Sequence, residues 1–167
     1  MTSFCASSLV FRLCTPSDVA RCAELEAASF PPDEAASREK IAFRCSVASS
    51  FFLLALDGDE VVAFANGTLS AGNHLRQETM AKHDAAGTLL CLHSLVVDCG
   101  WRRKGIALRL LSEYLRRLPP SVREVRLLAK ASLSPLYSRA GFRLVGQSDV
   151  QHGKDRWDEW AFKAGNS

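Results

Sequence analysis

The most apolar run of the chain constrains its fold more than any other sequence feature. Residues 88–97 read TLLCLHSLVV, and the run ends in β-branched residues. Its length and composition predict a strand buried on both faces, because a strand with one solvated face alternates apolar and polar side chains. Helices must cover both faces of such a strand, so the sequence predicts a sheet packed between helical layers.

The remaining segments predict a mixed order of strands and helices around this central strand. Further strands are predicted at residues 9–13, 51–56, 60–65, 122–129, 142–147 and 156–162, and helices at 15–29, 34–46, 103–118 and 133–140. The turn signal Asp57-Gly58-Asp59 predicts an antiparallel hairpin, and the polar segment 70–87 predicts a loop over one sheet edge. We therefore expect an α/β fold whose mixed sheet has six or seven strands, with helices on both faces.

Two predicted helices have well-marked ends. Thr15, Pro16 and Asp18 are typical of a helix start, as an N-cap residue, a first-turn proline and an acidic third residue. Pro31 ends that helix, because the residue before a proline avoids helical geometry. The helix over 103–118 has apolar residues at helical spacing and stops at a Pro-Pro pair.

Length and composition predict one globular domain over residues 1–167. Hydrophobic residues make up 47% and charged residues 23%, which excludes a disordered or low-complexity chain. Lysine and arginine number 21 against 18 aspartates and glutamates, and the net charge of +3 is too small to indicate nucleic acid binding. No run approaches the roughly 18–20 apolar residues that span a bilayer, so we expect no membrane partner.

The cysteine pattern indicates the compartment. Six cysteines are spread along the chain without a CxxC pair, which favours free thiols over a disulfide framework. The N-terminus also lacks the basic and apolar regions of a signal peptide. We therefore expect a cytoplasmic protein that is a monomer or a weak homodimer.

The residues that follow the central strand predict an anion site. Gly105 stands where a buried strand gives way to a helix, and its lack of a side chain lets backbone N–H groups approach a ligand closely. Arg102, Arg103 and Lys104 add positive charge beside the unpaired N–H groups of the helix start. A diphosphate fits such a site. The same cluster is also typical of a solvated basic helix start, and the residues alone leave both interpretations open.

Two motifs give this chain a resemblance to a known family. Arg102-x-x-Gly105-x-Ala107 fits the R/Q-x-x-G-x-G/A acetyl-CoA signature of the GCN5-related N-acetyltransferase (GNAT) superfamily, and Leu136-Tyr137 with Gly141-Phe142 resembles its LYxxxGF segment. Within the superfamily the chain is most similar to the arylalkylamine N-acetyltransferases. That likeness is carried by residues 11–18, 75–83 and 91–97.

The resemblance implies a GNAT fold whose sheet opens between the central strand and the next. It also implies that the co-substrate acetyl-CoA enters there and binds along the central strand and the following helix start. Pantetheine would pair with the strand as an added β-strand does. The implied contacts with acetyl-CoA are Leu95, Val96, Val97, Arg102, Arg103, Lys104, Gly105, Ile106, Ala107, Leu108 and Tyr137.

The resemblance also implies catalytic roles. The related enzymes carry two histidines at i and i+2 on the central strand, but here the first is Cys91 and only His93 remains. A primary amine arrives protonated, with a pKa near ~10.4, so His93 would accept its proton through water. The N–H of Leu95 would stabilise negative charge on the acetyl oxygen, and Tyr137 would donate a proton to the departing thiolate. His93 and Tyr137 are each also compatible with a purely structural role.

The substrate implied by this likeness is a small primary amine on an aromatic or hydrophobic body. Phe30 and Pro31 are predicted to form a wall of its pocket, with Cys91 also in contact. Acetylation of protein N-termini, lysines or polyamines is the alternative reaction. A non-catalytic acetyl-CoA-binding module is the alternative from another class, and Cys91 in place of a histidine keeps it open.

Other polar residues are assigned no chemistry. His74, His83 and His152 lack partners at metal-ligand spacing, so no metal is expected. Glu24 and Glu26 are interpreted as solvated side chains.

Overall fold

The computed structural model describes residues 8–76, 78–79, 81–150 and 152–165. The strands of the described part are β1 Val10–Leu13, β2 Phe52–Asp57, β3 Glu60–Ser70, β4 Leu89–Val97, β5 Glu124–Ala129, β6 Arg143–Gln147 and β7 Asp158–Lys163. Its α-helices are α1 Val19–Ser29, α2 Arg38–Val47, α3 Ile106–Arg116 and α4 Ser134–Arg139. The seven strands form one mixed sheet, which confirms the predicted fold class.

The sheet opens beside its central strand. Its order is β1-β2-β3-β4-β5-β7-β6, and β4 with β5 is the parallel pair. Among the described residues this pairing ends at Leu92 and Leu127, whereas β4 continues along β3 as far as Val97. One edge of β4 therefore lacks a neighbouring strand over its last residues, as the family resemblance implied.

A β-bulge in the central strand positions His93. The register of β3 with β4 shifts between Asn66, which pairs with Ser94, and Gly67, which pairs with Leu92. His93 is the extra residue, and bulges of this kind redirect a side chain. Gly67 is required beside it, because a Cβ there would lie 2.8 Å from the Cys91 carbonyl oxygen.

Helices cover both faces of the sheet, as predicted. On one face α3 places Leu110 and Leu111 against the strands, fully buried. On the other face, Cys22 of α1 and Ile41 of α2 pack in a second apolar cluster, also fully buried. Tyr114, mid-way along α3, donates its hydroxyl to the Phe51 carbonyl at 2.9 Å and is a core residue.

The start of the first helix follows its sequence signals. Residues 16–18 form a 3₁₀ turn that leads directly into α1. The Asp18 carboxylate accepts the Thr15 backbone N–H at 2.8 Å and is held by two hydrogen bonds from Arg12, at 2.8 and 3.0 Å. The helix ends at Ser29, where Phe30 is extended before Pro31.

Several element boundaries differ from their predicted positions. β3 runs to Ser70 instead of 65, because its last four residues continue to pair with β4. α2 begins at Arg38 instead of 34, since Ser37 caps it by accepting the Lys40 N–H at 3.2 Å. The residues before Ser37 form turns that carry Glu34.

The described cysteines, at positions 14, 22, 45, 91 and 99, are free thiols, and Cys5 lies outside the described residues. Among the helices that the structure describes, none has the length and apolar content needed to cross a membrane.

Candidate active site

Two cavities meet at the open edge of β4. A groove of about 660 Å³ follows this edge to the start of α3, and a smaller cavity of about 90 Å³ lies behind it. Four residues line both cavities: Phe30, Leu95, Leu133 and Tyr137. A group that enters along the groove would therefore meet the contents of the smaller cavity beside Leu95 and Tyr137.

Backbone groups of β4 face the groove. The Asp98 N–H donates to the Val62 carbonyl of β3 at 2.8 Å. The N–H and C=O of one residue lie on the same edge of a strand, and those of the next residue lie on the opposite edge. Since Asp98 faces β3, the N–H and C=O groups of Leu95 and Val97 face the edge that β5 leaves open. The Arg102 side chain confirms this direction, since its Nε donates to the Val97 carbonyl at 3.1 Å. Leu95 and Val97 thus present backbone donors and acceptors to the groove.

The start of α3 forms the far end of the groove. Arg103 and Gly105 have positive φ values of 61° and 75°, so the chain makes a left-handed turn before Ile106 begins the helix. A Cβ on Gly105 would meet no atom within 4 Å, so glycine is required here by its φ and not by crowding. Of the predicted residues in this turn, Lys104 does not line the groove, and the others do: Arg102, Arg103, Gly105, Ile106, Ala107 and Leu108.

His93 lines the smaller cavity as a neutral imidazole. Its Nε2 lies 2.7 Å from the Thr68 hydroxyl, and its Nδ1 is buried without a hydrogen-bond partner among the described residues. Burial holds the pKa of His93 well below its usual range, and the positive charges of Arg44 and Lys40 lower it further. When Nε2–H donates to Thr68, Nδ1 offers a lone pair to a proton donor.

Tyr137 stands at the junction of the two cavities. It lies on α4, packs edge-on against Phe142 with ring centroids 5.7 Å apart, and also contacts Trp160. Burial raises the pKa of Tyr137 to about 12, so the phenol stays protonated at neutral pH. It can donate a proton or a hydrogen bond to a group that develops negative charge.

Two buried carboxylates line the smaller cavity. Glu26 on α1 is 3% exposed, so its interpretation as a solvated side chain is wrong. Its Oε1 accepts the Ala36 N–H at 3.0 Å, and burial raises its pKa. Glu34 is 4% exposed, and its Oε1 lies 2.9 Å from the Lys130 ammonium. The same ammonium lies 2.8 Å from Asp155 Oδ2.

Two of the predicted substrate contacts lie away from both cavities. Cys91 is fully buried beside Leu89 and Leu75, in an apolar cluster below the site. Pro31 is exposed and lines neither cavity. Phe30, by contrast, lines both.

Eight residues of the smaller cavity were not predicted from the sequence, and four of them are polar or aromatic: Glu26, Glu34, His152 and Trp157. Glu26 had a signal, because it follows Cys22 by four residues on the apolar stripe of α1. His152 and Trp157 lie before β7, with ring centroids 5.4 Å apart, and no local periodicity marks them.

The chain is similar to known proteins both in sequence and in fold. A family model described as an acetyltransferase (GNAT) domain matches residues 19–155. The serotonin N-acetyltransferase of Macaca mulatta is 35% identical over 95 residues, which cover 56% of this chain and 47% of that protein. The chain thus spans about half the length of the curated relatives it matches.

Solved structures share the architecture at low sequence identity. The GphF GNAT-like decarboxylase in complex with isobutyryl-CoA superposes with a TM-score of 0.81 at 19% identity, over 92% of this chain and 98% of that one. A GNAT superfamily phosphinothricin acetyltransferase from Sinorhizobium meliloti in complex with AcCoA superposes with a TM-score of 0.68 at 20% identity, over 95% and 89%. These likenesses show the fold and do not select a reaction.

Proposed function

Because the chain belongs to the acetyltransferase (GNAT) domain family, we propose that it is an N-acetyltransferase that moves the acetyl group of acetyl-CoA to a primary amine. Membership confirms the resemblance drawn from the Arg102–Ala107 signature. The observation that carries the proposal is the junction of a long groove with a small cavity beside Leu95 and Tyr137. A thioester and an amine entering from opposite sides would meet there.

The groove offers acetyl-CoA two kinds of contact. Backbone N–H and C=O groups of Leu95 and Val97 face the open edge of β4, where pantetheine amides would pair with them. The left-handed turn at Arg103 and Gly105 precedes the N-terminus of α3, whose N–H groups would hold the diphosphate. The predicted contacts of Val96, Lys104, Ile106, Ala107 and Leu108 belong to the same proposal.

Three groups around the junction divide the chemistry in this proposal. Nδ1 of His93 accepts the proton that the amine must lose, directly or through water. The Leu95 N–H stabilises negative charge on the acetyl oxygen during attack. Tyr137 donates its phenolic proton to the thiolate as the C–S bond breaks, and the second proton lost by the attacking nitrogen replaces it, so that the amide, free CoA thiol and neutral Tyr137 result.

We propose a small arylalkylamine as the amine. The smaller cavity has an apolar wall that includes Phe30, Leu128 and Trp157, and its volume of about 90 Å³ suits the part of such an amine nearest its nitrogen. The curated relatives named serotonin N-acetyltransferase support the same substrate class.

A panel of tryptamine-like and phenethylamine-like amines, polyamines and peptides, assayed for release of free CoA, tests the proposal. We expect fastest turnover with an arylalkylamine. Comparable rates for aromatic amines and polyamines would contradict an aromatic-selective cavity, and activity confined to peptides would replace it with protein acetylation. Thermal stabilisation by acetyl-CoA without turnover of any amine would favour the alternative function, a non-catalytic acetyl-CoA-binding module. The cysteine at position 91, where related enzymes have a histidine, is the feature that suggests this alternative.

A further inference from the structure

We propose that the Glu26 carboxylate binds the ammonium group of the substrate inside the smaller cavity. This inference rests on the proposed amine acetylation and adds the residue that distinguishes a cationic substrate from a neutral one. Sequence reasoning gave Glu26 no role, and the family signature at residues 102–107 does not include it.

The hydrogen bonds of Glu26 leave one oxygen for a ligand. The residue lines the smaller cavity and is 3% exposed. Oε1 accepts the Ala36 N–H, whereas Oε2 is buried and has no hydrogen-bond partner of good geometry among the described residues; the Ser94 hydroxyl is near enough to lower the pKa of Glu26. A buried carboxylate oxygen without a partner is unfavourable, because it has lost water and gained nothing in exchange. An ammonium in the cavity would supply the missing donor.

The second carboxylate of the cavity is already compensated. Glu34 has the Lys130 ammonium at 2.9 Å, and Asp155 shares that cation. Glu26 has no such contact with a cation among the described residues. The buried Arg44 lowers the pKa of Glu26 only through space, and its Nη1 lies 3.4 Å from Asn66 Oδ1. Oε2 of Glu26 therefore remains open to a direct contact with an ammonium in the cavity.

The position of Glu26 suits the attacking nitrogen. Glu26, His93 and Tyr137 line the same space of about 90 Å³. A nitrogen held by Oε2 of Glu26 therefore shares this small cavity with the lone pair of His93. Charge-assisted hydrogen bonds are about twice as strong as neutral ones, so this contact would contribute substantially to amine affinity. Glu26 would thus supply substrate recognition, while His93 accepts the proton.

Binding of matched amines and alcohols to the protein in its CoA complex tests this inference without turnover. The probes are phenethylamine with 2-phenylethanol and butylamine with 1-butanol, measured by calorimetry for the wild type, Glu26→Gln and Glu24→Gln. We expect the wild type to prefer at least one amine over its alcohol by about 10–100-fold, and Glu26→Gln to reduce that preference to about 1–3-fold with alcohol affinity unchanged. Glu24, two residues away on α1 and exposed, is the charge-matched control and should behave as the wild type.

Three results would overturn the inference. In the first, the wild type binds neither amine more tightly than its matched alcohol. In the second, the Glu26→Gln protein keeps the preference for the amine. In the third, Glu34→Gln loses that preference and Glu26→Gln does not. Should Glu26→Gln fail to fold, Glu26→Asp keeps the charge on a shorter side chain, and an unweakened amine preference there would count against the inference. Failure of the proposed function has a different signature, because it is read as absence of acetyl transfer and not as a change in amine binding.

Discussion

At the scale of single residues, burial shifts the pKa values of His93 and Tyr137 in opposite directions. Burial and nearby positive charges keep the pKa of His93 well below 6.5, so the imidazole is neutral at physiological pH. Burial raises the pKa of Tyr137 to about 12, so the phenol keeps its proton. His93 is therefore in the form that can accept a proton, and Tyr137 is in the form that can donate one. Variants of the two residues should lose activity with different pH dependences.

Replacing His93 with alanine should lower kcat/KM by about 10²-fold, the lower end of general-base effects, since water can carry part of the proton traffic. The loss should be greatest at low pH and should shrink as the pH approaches the amine's own pKa, near ~10.4, where the amine arrives deprotonated. A pH–rate profile measures this. His83→Ala removes an imidazole that accepts the Leu69 N–H outside both cavities, and should show no such recovery. A His93→Ala profile that is merely a scaled copy of the wild type would count against a proton-accepting role.

Replacing Tyr137 with phenylalanine should lower kcat by about 10²–10⁴-fold and should do so at every pH, because alkali does not replace a proton donor. The ring contacts with Phe142 and Trp160 remain, so the melting temperature should change little. The loss should shrink with a coenzyme analogue whose leaving thiolate is a weaker base. Tyr114→Phe is the matched control, since it removes a buried hydroxyl that bonds the Phe51 carbonyl and should lower stability but not kcat. Equal losses with both thioesters would contradict the assignment of Tyr137.

At the scale of elements, the turn before α3 is where we propose that the diphosphate of acetyl-CoA binds. Gly105→Val should abolish acetyl-CoA binding, because valine does not tolerate a φ of 75° and its side chain would project beside the groove. Gly58→Val is a matched control, since Gly58 in the β2–β3 turn also has positive φ, 57°, and open space around it. Calorimetry should show coenzyme affinity lost in the first variant and kept in the second. Unchanged affinity in Gly105→Val would remove the turn from the binding site.

The start of α1 gives a stability prediction with a defined pH dependence. The Arg12 guanidinium, with the Thr15 N–H and hydroxyl, lowers the pKa of Asp18 to about 2. A depressed carboxyl pKa stabilises the fold above the unfolded value, near ~3.9, and that stabilisation is lost as the pH falls toward 2. Asp18→Asn should therefore lower the free energy of unfolding by about 1–2 kcal/mol at pH 7, a value reduced because Arg12 is half exposed, and the difference should narrow below pH 4.

Denaturant unfolding at several pH values measures the effect of Asp18→Asn, with Asp59→Asn in the exposed β2–β3 turn as the control. A difference that stays constant from pH 7 to pH 3 would show that the Asp18 charge is not the cause.

At the scale of the whole molecule, local patterns predicted the architecture but only part of the site. The run at 88–97 and the periodicity of 103–118 fix a buried strand and a helix, and the remaining elements follow by layer packing. The observed ends of elements differ from the predicted ends where contacts between residues distant in sequence determine them. For example, pairing with β4 extends β3 to Ser70. Much of the long groove was predictable because one segment, residues 95–108, supplies most of its lining.

The smaller cavity was harder to predict because its residues come from separate parts of the chain. Glu26 lies on α1 and Trp157 just before β7, and folding brings them beside His93. Among the residues of this cavity that were missed, only Glu26 carried a local signal, which is its place on a buried stripe of α1. A charged residue at such a position is interpreted as solvated until its surroundings are known. Cys91 shows the converse, since its motif position suggested a contact that burial beside Leu75 does not provide.

The central claim is that an acetyl group passes from coenzyme to amine where the two cavities meet. Mass spectrometry of single-turnover mixtures of protein, acetyl-CoA and an arylalkylamine tests it most directly. The account predicts that N-acetylated amine and free CoA form in equal amounts in the wild type, and at least 10²-fold more slowly in Tyr137→Phe. Release of CoA without acetylated amine, or equal rates for the two proteins, would contradict it.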